Sequence, residues 1–321
     1  MAKAKLYKFI RRLLPIFIAI LALAYLIFLF RSKANTISIR ELLNTANDNI
    51  LLLVSVSLLM LLNWGLEVYK WRYFTLKIQY LTLTDSIKSV LIGIVAGIFT
   101  PNRVGELGGR LLFINNHNRS SAIYINSLCA ISQLVATIVF GLMAFSLISG
   151  QLECFYVSNL NFKIVSWVLI LTTLYIFFKA NILRRVILKF NKYFKKNSTI
   201  NFIELSFIDR FKLLTISIIR YCIFCVQFIF LLAVFLPGLS FLEGLISASL
   251  IFLLTTIIPS GWISDLPVRT SFAFLVIEFL GYNGAYGSMA SVILWIINLF
   301  IPAILGLVVI KDLKWRPKHG N

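Results

Sequence analysis

Apolar residues in this chain are gathered into long, nearly uninterrupted runs, a pattern that predicts membrane-spanning helices. The runs cover Leu13–Phe30, Ile50–Leu66, Ser86–Phe99, Ile123–Ile148, Lys163–Phe178, Leu213–Leu236, Glu243–Ile258, Thr270–Gly281 and Ser288–Ile310. A spanning helix needs about 20 residues, whereas the third, seventh and eighth runs hold only about 12–16. The pattern therefore predicts an all-α polytopic membrane protein in which some apolar segments do not cross the bilayer.

The distribution of positive charge predicts the orientation of these segments. Lys and Arg are most frequent in residues 1–12, 67–88, 179–212 and 311–321. Segments rich in Lys and Arg stay in the cytoplasm, so the third run must begin and end on that side. We therefore expect a re-entrant segment at 86–112, and either a second one or two further spans at 243–283. This gives about 6–8 transmembrane helices, with both termini in the cytoplasm.

Two polar interruptions follow short apolar runs, one in each half of the chain. They share a proline followed by an acidic residue, leucine, two residues and arginine: Pro101 with Glu106-Leu107-x-x-Arg110, and Pro259 with Asp265-Leu266-x-x-Arg269. Proline frees backbone groups that lipid cannot satisfy, and charged groups at depth need a partner or a wet cavity. Paired broken segments of this kind indicate the substrate site of a transporter. We interpret them as a degenerate internal repeat, which the orientation makes inverted.

The candidate substrate-binding residues are charged side chains in or near these segments: Arg103, Glu106, Arg110, Asp265, Arg269 and Arg220. Arginine suits a phosphate or other anionic head group because its planar fork binds phosphate with two hydrogen bonds. The candidate structural or hinge residues are Pro101, Gly105, Gly108, Gly109, Pro259, Gly261 and Pro267. In the alternative interpretation, the acidic residues and arginines form ordinary helical ion pairs at a cytoplasmic turn. Arg220 either faces a cavity or reaches towards the interface, where Glu67 and Lys70 are also expected.

The first interruption resembles a known sequence motif. Thr100-Pro101-x-Arg103-x-Gly105-Glu106 is similar to a motif of the lysylphosphatidylglycerol synthase transmembrane-region family, a flippase-like group. The segment 265–271 is similar to the second motif of that family, with Pro267 in place of the usual glycine. The resemblance implies a polytopic helical domain that flips lipid. The aminoacyl-transfer domain of the best-understood relatives is not expected here, because Asn321 follows soon after the last apolar run.

Composition narrows the class of protein. Hydrophobic residues make up 60% of the chain and charged residues 13%, with a mean hydropathy of +0.90, so a soluble enzyme is excluded. The net charge of +19 is explained by cytoplasmic loops, so no nucleic-acid partner is expected. Two histidines cannot build a His-based metal site, and Cys222 and Cys225 lie within an apolar run. No metal or other cofactor is therefore expected.

These patterns together predict one integral membrane domain over residues 1–321. It has a first half at about 1–178, a basic cytoplasmic loop at 179–212 beside anionic lipids, and a second half at about 213–311. The expected function is a flippase-like translocase in the cytoplasmic (inner) membrane, not an enzyme. Its substrate is a phospholipid or other anionic or zwitterionic lipid, and a homo-oligomer is compatible with the pattern. The alternatives are an integral membrane transferase acting on a lipid-linked substrate and an accessory subunit of an envelope assembly.

Overall fold

Every regular element that the structure describes is a helix. The computed structural model describes residues 45, 47–98, 100, 103–148, 159–179, 205–258 and 262–312. The helices are α1 (Ile50–Thr75), α2 (Leu83–Ile98), α3 (Gly105–Leu111), α4 (Arg119–Ile148), α5 (Asn159–Phe178), α6 (Phe207–Phe235), α7 (Phe241–Ile257), α8 (Trp262–Phe279), α9 (Gly284–Trp295) and α10 (Ile301–Asp312). A π-helical segment, Ile296–Phe300, joins α9 to α10 without a break. The predicted all-α fold is confirmed.

Several helices are long and apolar enough to cross a membrane. They are Ile50–Thr75, Asn116–Ile148, Leu160–Phe178, Phe207–Phe235 and Gly284–Lys311. The helix α7 is apolar but shorter than a standard span. A multi-pass membrane protein is therefore confirmed. The apolar run Leu13–Phe30, Pro101, Pro259, Gly261 and most of the predicted basic loop lie outside the described residues.

Two helices of the second half begin with the same local device. In α6, the Ser206 hydroxyl accepts a hydrogen bond from the Asp209 N–H, and the Asp209 carboxylate accepts one from the Ser206 N–H. Ser240 and Glu243 repeat this arrangement at the start of α7. Such reciprocal caps satisfy N–H groups that would otherwise lack partners, and each contributes about 0.5–2 kcal/mol to helix stability. The caps explain why α6 begins at Phe207 and α7 at Phe241, ahead of the apolar runs that begin at Leu213 and Glu243.

The helices α2 and α3 form a tight antiparallel hairpin around the first interruption. A Cβ atom on Gly105 would lie 2.1 Å from the Ala96 carbonyl oxygen, and one on Gly109 would lie 2.7 Å from the Gly93 Cα. Thr100 Oγ1 accepts a hydrogen bond from the Gly105 N–H at 2.7 Å and closes the turn. With 16 residues, α2 is about 24 Å long, less than the ~30 Å hydrocarbon core. The hairpin has the shape expected of a re-entrant segment.

The helices that precede the two broken segments, α1 and α6, pack against each other in opposite directions. Contacts between them join Val56 to Gln227, Glu67 to Arg220, and Lys70 to Ser217, so the residue number rises in one helix as it falls in the other. Equivalent helices that run antiparallel are what an inverted repeat requires.

Two further contacts between the halves of the chain form an equivalent pair. The helix α2 packs against α10, and α7 packs against α4. In each case a glycine makes room, because a Cβ atom on Gly306 would lie 2.5 Å from the Leu91 oxygen and one on Gly141 would lie 2.5 Å from the Leu253 Cβ. Thus α4, which follows the first broken segment, packs against the first helix of the second segment. In the same way α10, which follows the second broken segment, packs against the first helix of the first segment. This contact pattern agrees with the predicted inverted repeat.

Candidate functional site

A cavity of about 540 Å³ lies between the two broken segments. Its walls come from α1, α3, α4, α6, α8, α9 and the π-helical segment. All of the predicted substrate-binding residues line it: Arg103, Glu106, Arg110, Arg220, Asp265 and Arg269. Its volume is within the range of about 300–1,000 Å³ that is typical of small-ligand pockets. The structure therefore brings the predicted residues from three separate parts of the chain to one place.

The charged side chains of the cavity fall into an inner and an outer group. We call the first group the inner cluster; its exposed side-chain fractions are 1–8%, and its members are Glu67, Lys70, Arg110 and Arg220. We call the second group the outer cluster; its exposed fractions are 23–46%, and its members are Arg103, Glu106, Asp265 and Arg269. The inner cluster has three basic side chains and one acidic side chain, whereas the outer cluster has two of each. The positive excess of the cavity therefore lies in its buried part.

Glu67 is the centre of the inner cluster. Its Oε1 accepts a hydrogen bond from Arg110 Nη2 at 2.7 Å. Its Oε2 lies 3.1 Å from Lys70 Nζ and accepts a second hydrogen bond from Arg220 Nη1. A single carboxylate thus contacts three cations from three helices, α1, α3 and α6. Removing such a shared partner leaves buried charges uncompensated, so Glu67 ties these helices together.

Aromatic and amide side chains complete the surroundings of the two buried arginines. The guanidinium of Arg110 lies over the Trp71 ring at 5.4 Å, and that of Arg220 lies over the Trp64 ring at 5.9 Å. Arg220 Nε also donates a hydrogen bond to Asn63 Oδ1 at 2.8 Å. Cation–π contacts and the amide oxygen hold the guanidinium planes in place. Arg220 was expected either to face a cavity or to reach towards the interface, and in the structure it lines the cavity.

The interfacial position expected for Glu67 and Lys70 is wrong. The helix α1 continues past Leu66 to Thr75, and both Glu67 and Lys70 are buried among other helices. A signal was present in the sequence, because Asn63, Glu67 and Lys70 are spaced i, i+4 and i+7 and therefore share one helix face. A polar stripe on an otherwise apolar helix indicates a face turned towards protein or water.

The outer cluster consists of ion pairs within each motif. Arg103 Nη2 lies 3.0 Å from Glu106 Oε1, and Arg269 Nη2 lies 3.5 Å from Asp265 Oδ1. Trp295 Nε1 donates a hydrogen bond to Asp265 Oδ2 at 3.0 Å. The helical pairs of the alternative interpretation are therefore present, but they line a cavity between helices rather than a surface turn.

The two motifs also share their position in the local structure. Glu106 lies in the first turn of α3 and Asp265 in the first turn of α8, where the helix dipole stabilises a carboxylate. Arg103 has a backbone φ of 56°, a left-handed conformation that is uncommon for a residue other than glycine. Such strained positions cluster at functional sites because the surrounding structure holds them. The strain at Arg103 therefore adds to the case for a site at this break.

The second interruption is shorter than the sequence pattern indicated. The predicted polar interruption extends from Pro259 to Arg269, but α8 begins at Trp262 and contains Pro267 as its sixth residue. A proline at the sixth position removes one backbone hydrogen bond of the helix, which nevertheless continues to Phe279. Asp265 and Arg269 therefore lie one turn apart within α8 rather than in a loop.

The glycines of the first motif differ in their surroundings. Gly105 and Gly109 lie at the close contacts between α2 and α3, where a side chain would meet backbone atoms. A Cβ atom on Gly108 would have no atom within 4 Å. Among the described residues, Gly108 is therefore not part of the close contact between α2 and α3.

Comparison of the chain with protein-family models and with curated proteins finds no match. The resemblance to the flippase-like family stays a prediction, and the function must be inferred from the cavity.

Proposed function

We propose that this protein is a translocase that moves a lipid with a phosphate-containing head group across the cytoplasmic membrane. The observation that carries the proposal is the buried positive excess of the cavity, between two broken helical segments. Three basic side chains surround one carboxylate in the inner cluster, and arginines provide two of them. Guanidinium groups bind phosphate oxygens with paired hydrogen bonds, which makes phosphate the best chemical match.

The size and lining of the cavity support a head group rather than a whole lipid. Besides the charged side chains, the lining includes apolar side chains from α3, α6, α9 and the π-helical segment, among them Leu107, Phe224, Leu294 and Leu299. A volume of about 540 Å³ holds a phosphate and its substituent. The acyl chains of the same lipid would stay in the bilayer, as the apolar outer faces of the helices allow.

The inverted packing of the two halves supports movement rather than catalysis. Inverted repeats let the same two arrangements of helices exist facing either side of a membrane, with the substrate site on the axis between them. The candidate residues come from both broken segments and from α6, so a rearrangement of the halves would change both the access to the cavity and the distances between its charged groups. The resemblance to the flippase-like family is consistent with this proposal.

Replacing Arg269 by glutamine is expected to slow lipid flipping by at least about tenfold, because one cation of the cavity is lost. Its side chain is 27% exposed and pairs only with Asp265 among the described ion pairs, so folding should survive. The measurement uses purified protein in liposomes with fluorescent phosphatidylglycerol, phosphatidylethanolamine and phosphatidic acid, and a membrane-impermeant quencher. Arg119→Gln is the matched control, because Arg119 is an exposed arginine at the start of α4 that does not line the cavity.

The outcomes separate this proposal from the alternatives. Flipping by the wild type and by Arg119→Gln, lost in Arg269→Gln, would support the translocase. A folded, monodisperse wild type that flips none of the three lipids would contradict it. Formation of a new lipid product by the purified protein would favour a transferase instead, and co-purification of a stoichiometric partner without flipping would favour an accessory subunit.

A further inference from the structure

The inner cluster holds more positive charge than its own residues neutralise. Lys70, Arg110 and Arg220 contact the single carboxylate of Glu67, so the inner cluster has a net charge of +2. A second carboxylate, that of Glu106, lies 4.0 Å from Arg110 Nη2, but it is already paired with Arg103 at 3.0 Å. The outer cluster is balanced and contributes no surplus negative charge. Buried charges are stable only when they are paired, so the inner cluster is suited to a further anion.

Glu67 currently occupies the donors that such an anion would use. It accepts hydrogen bonds from Arg110 Nη2 and Arg220 Nη1 and forms an ion pair with Lys70 Nζ. Arg110 Nε is buried and has no hydrogen-bond partner in the described part of the chain. Carboxylate and phosphate oxygens have the same preference for guanidinium donors, so the two groups compete for the same atoms.

We infer that Glu67 is the resident ligand of an anion site and that the phosphate of the transported lipid competes with it for Arg110 and Arg220. The inference rests on the proposed function and specifies how the site works. Without lipid, Glu67 neutralises part of the cluster and holds α1, α3 and α6 together. With lipid, it weakens phosphate binding, so that the head group can leave on the other side. Transport requires binding that is strong enough for entry and weak enough for release.

Geometry assigns this role to Glu67 rather than to Glu106. The Glu106 side chain is 24% exposed, pairs with Arg103 at 3.0 Å and lies 4.0 Å from Arg110 Nη2. The Glu67 side chain is 7% exposed and touches all three inner cations. Only Glu67 must move or share its donors when an anion reaches the inner cluster.

The test is an isothermal calorimetric titration of purified protein in detergent micelles with dihexanoyl phosphatidic acid, which measures the affinity for this lipid. Glu67→Gln removes the competing charge but keeps the size of the side chain. We expect its affinity to rise at least about tenfold over the wild type, because an anion no longer displaces a carboxylate. Glu106→Gln is the matched variant, with the same chemical change in the outer cluster, and its affinity is expected to change less than about threefold because the pair is partly exposed.

Equal or weaker binding by folded Glu67→Gln would overturn the inference, as would an equally large gain in Glu106→Gln. If Glu67→Gln does not fold, Glu67→Asp decides: its shorter carboxylate withdraws from the arginines, so a gain supports the inference and equal or weaker binding overturns it. A parallel titration with inorganic phosphate at constant ionic strength identifies the source of the phosphate. Tighter binding of the lipid supports a head-group site, whereas equal affinities would overturn the lipid assignment.

This experiment measures binding and needs no transport. Tighter binding in Glu67→Gln together with no flipping by the wild type would leave the resident-ligand inference standing and contradict the translocase. Flipping by the wild type together with unchanged affinity in Glu67→Gln would support the translocase and overturn the resident-ligand inference.

Discussion

Replacing Glu67 by alanine is expected to lower the free energy of unfolding by about 3–5 kcal/mol, because removing one partner of a buried charge network leaves the others uncompensated. Three cations from three helices would then face each other with no carboxylate between them. The side chain is buried, so solvent cannot replace the lost interactions. Titration with sodium dodecyl sulfate in mixed micelles, followed by tryptophan fluorescence, measures the change.

Asp48→Ala is the control for this substitution. Asp48 is an exposed acidic residue that precedes α1, and its replacement is expected to change the free energy of unfolding by less than about 0.5 kcal/mol. A similarly small effect of Glu67→Ala would mean that the inner cluster contributes little to stability. The arrangement of α1, α3 and α6 would then have to depend on apolar packing alone.

Replacing Gly109 by alanine is expected to lower the free energy of unfolding by about 1–3 kcal/mol, the usual cost of an atom inserted into a packed contact. The added Cβ would lie 2.7 Å from the Gly93 Cα and nitrogen, which are backbone atoms that no rotamer change can move. The helices α2 and α3 would have to separate. Because Arg110 follows directly in α3, its contact with Glu67 should lengthen and flipping should fall.

Gly108→Ala is the matched control, one residue away in the same helix. Its Cβ atom would meet nothing within 4 Å, and alanine has a higher helix propensity than glycine. We therefore expect the free energy of unfolding to rise by about 0.5–1 kcal/mol. The same unfolding titration and the liposome assay apply to both variants. Equal effects of the two substitutions would contradict the close packing of the hairpin.

The hairpin contact and the inner cluster depend on each other. Gly109 lets α3 approach α2 closely, and this approach places the Arg110 guanidinium beside Glu67 on α1. Thr100 and Gly105 close the turn at the other end of α3. A small change in packing at the glycines is therefore expected to change the distance between Arg110 and Glu67.

Several properties of this protein were predictable from the sequence. The apolar runs determined that the chain is helical and crosses a membrane, because backbone groups in lipid must be satisfied within each segment. Pro101 and Pro259, with the acid-Leu-x-x-Arg pattern after each, indicated the two broken segments and the arginines that line the cavity. These are local properties: they depend on the length of a run, on proline and on spacing along one helix.

Other features were decided only by the tertiary structure. Glu67 meets Arg110 and Arg220 across 43 and 153 residues of sequence, and no local pattern specifies which faces of α1, α3 and α6 meet. The helical surroundings of Pro267 and the open space beside Gly108 likewise depend on where neighbouring helices lie. The sequence by itself determined the helices, the breaks and the candidate charges. The packing of the two halves decided which charges are buried together, because burial and pairing are properties of the surfaces that meet.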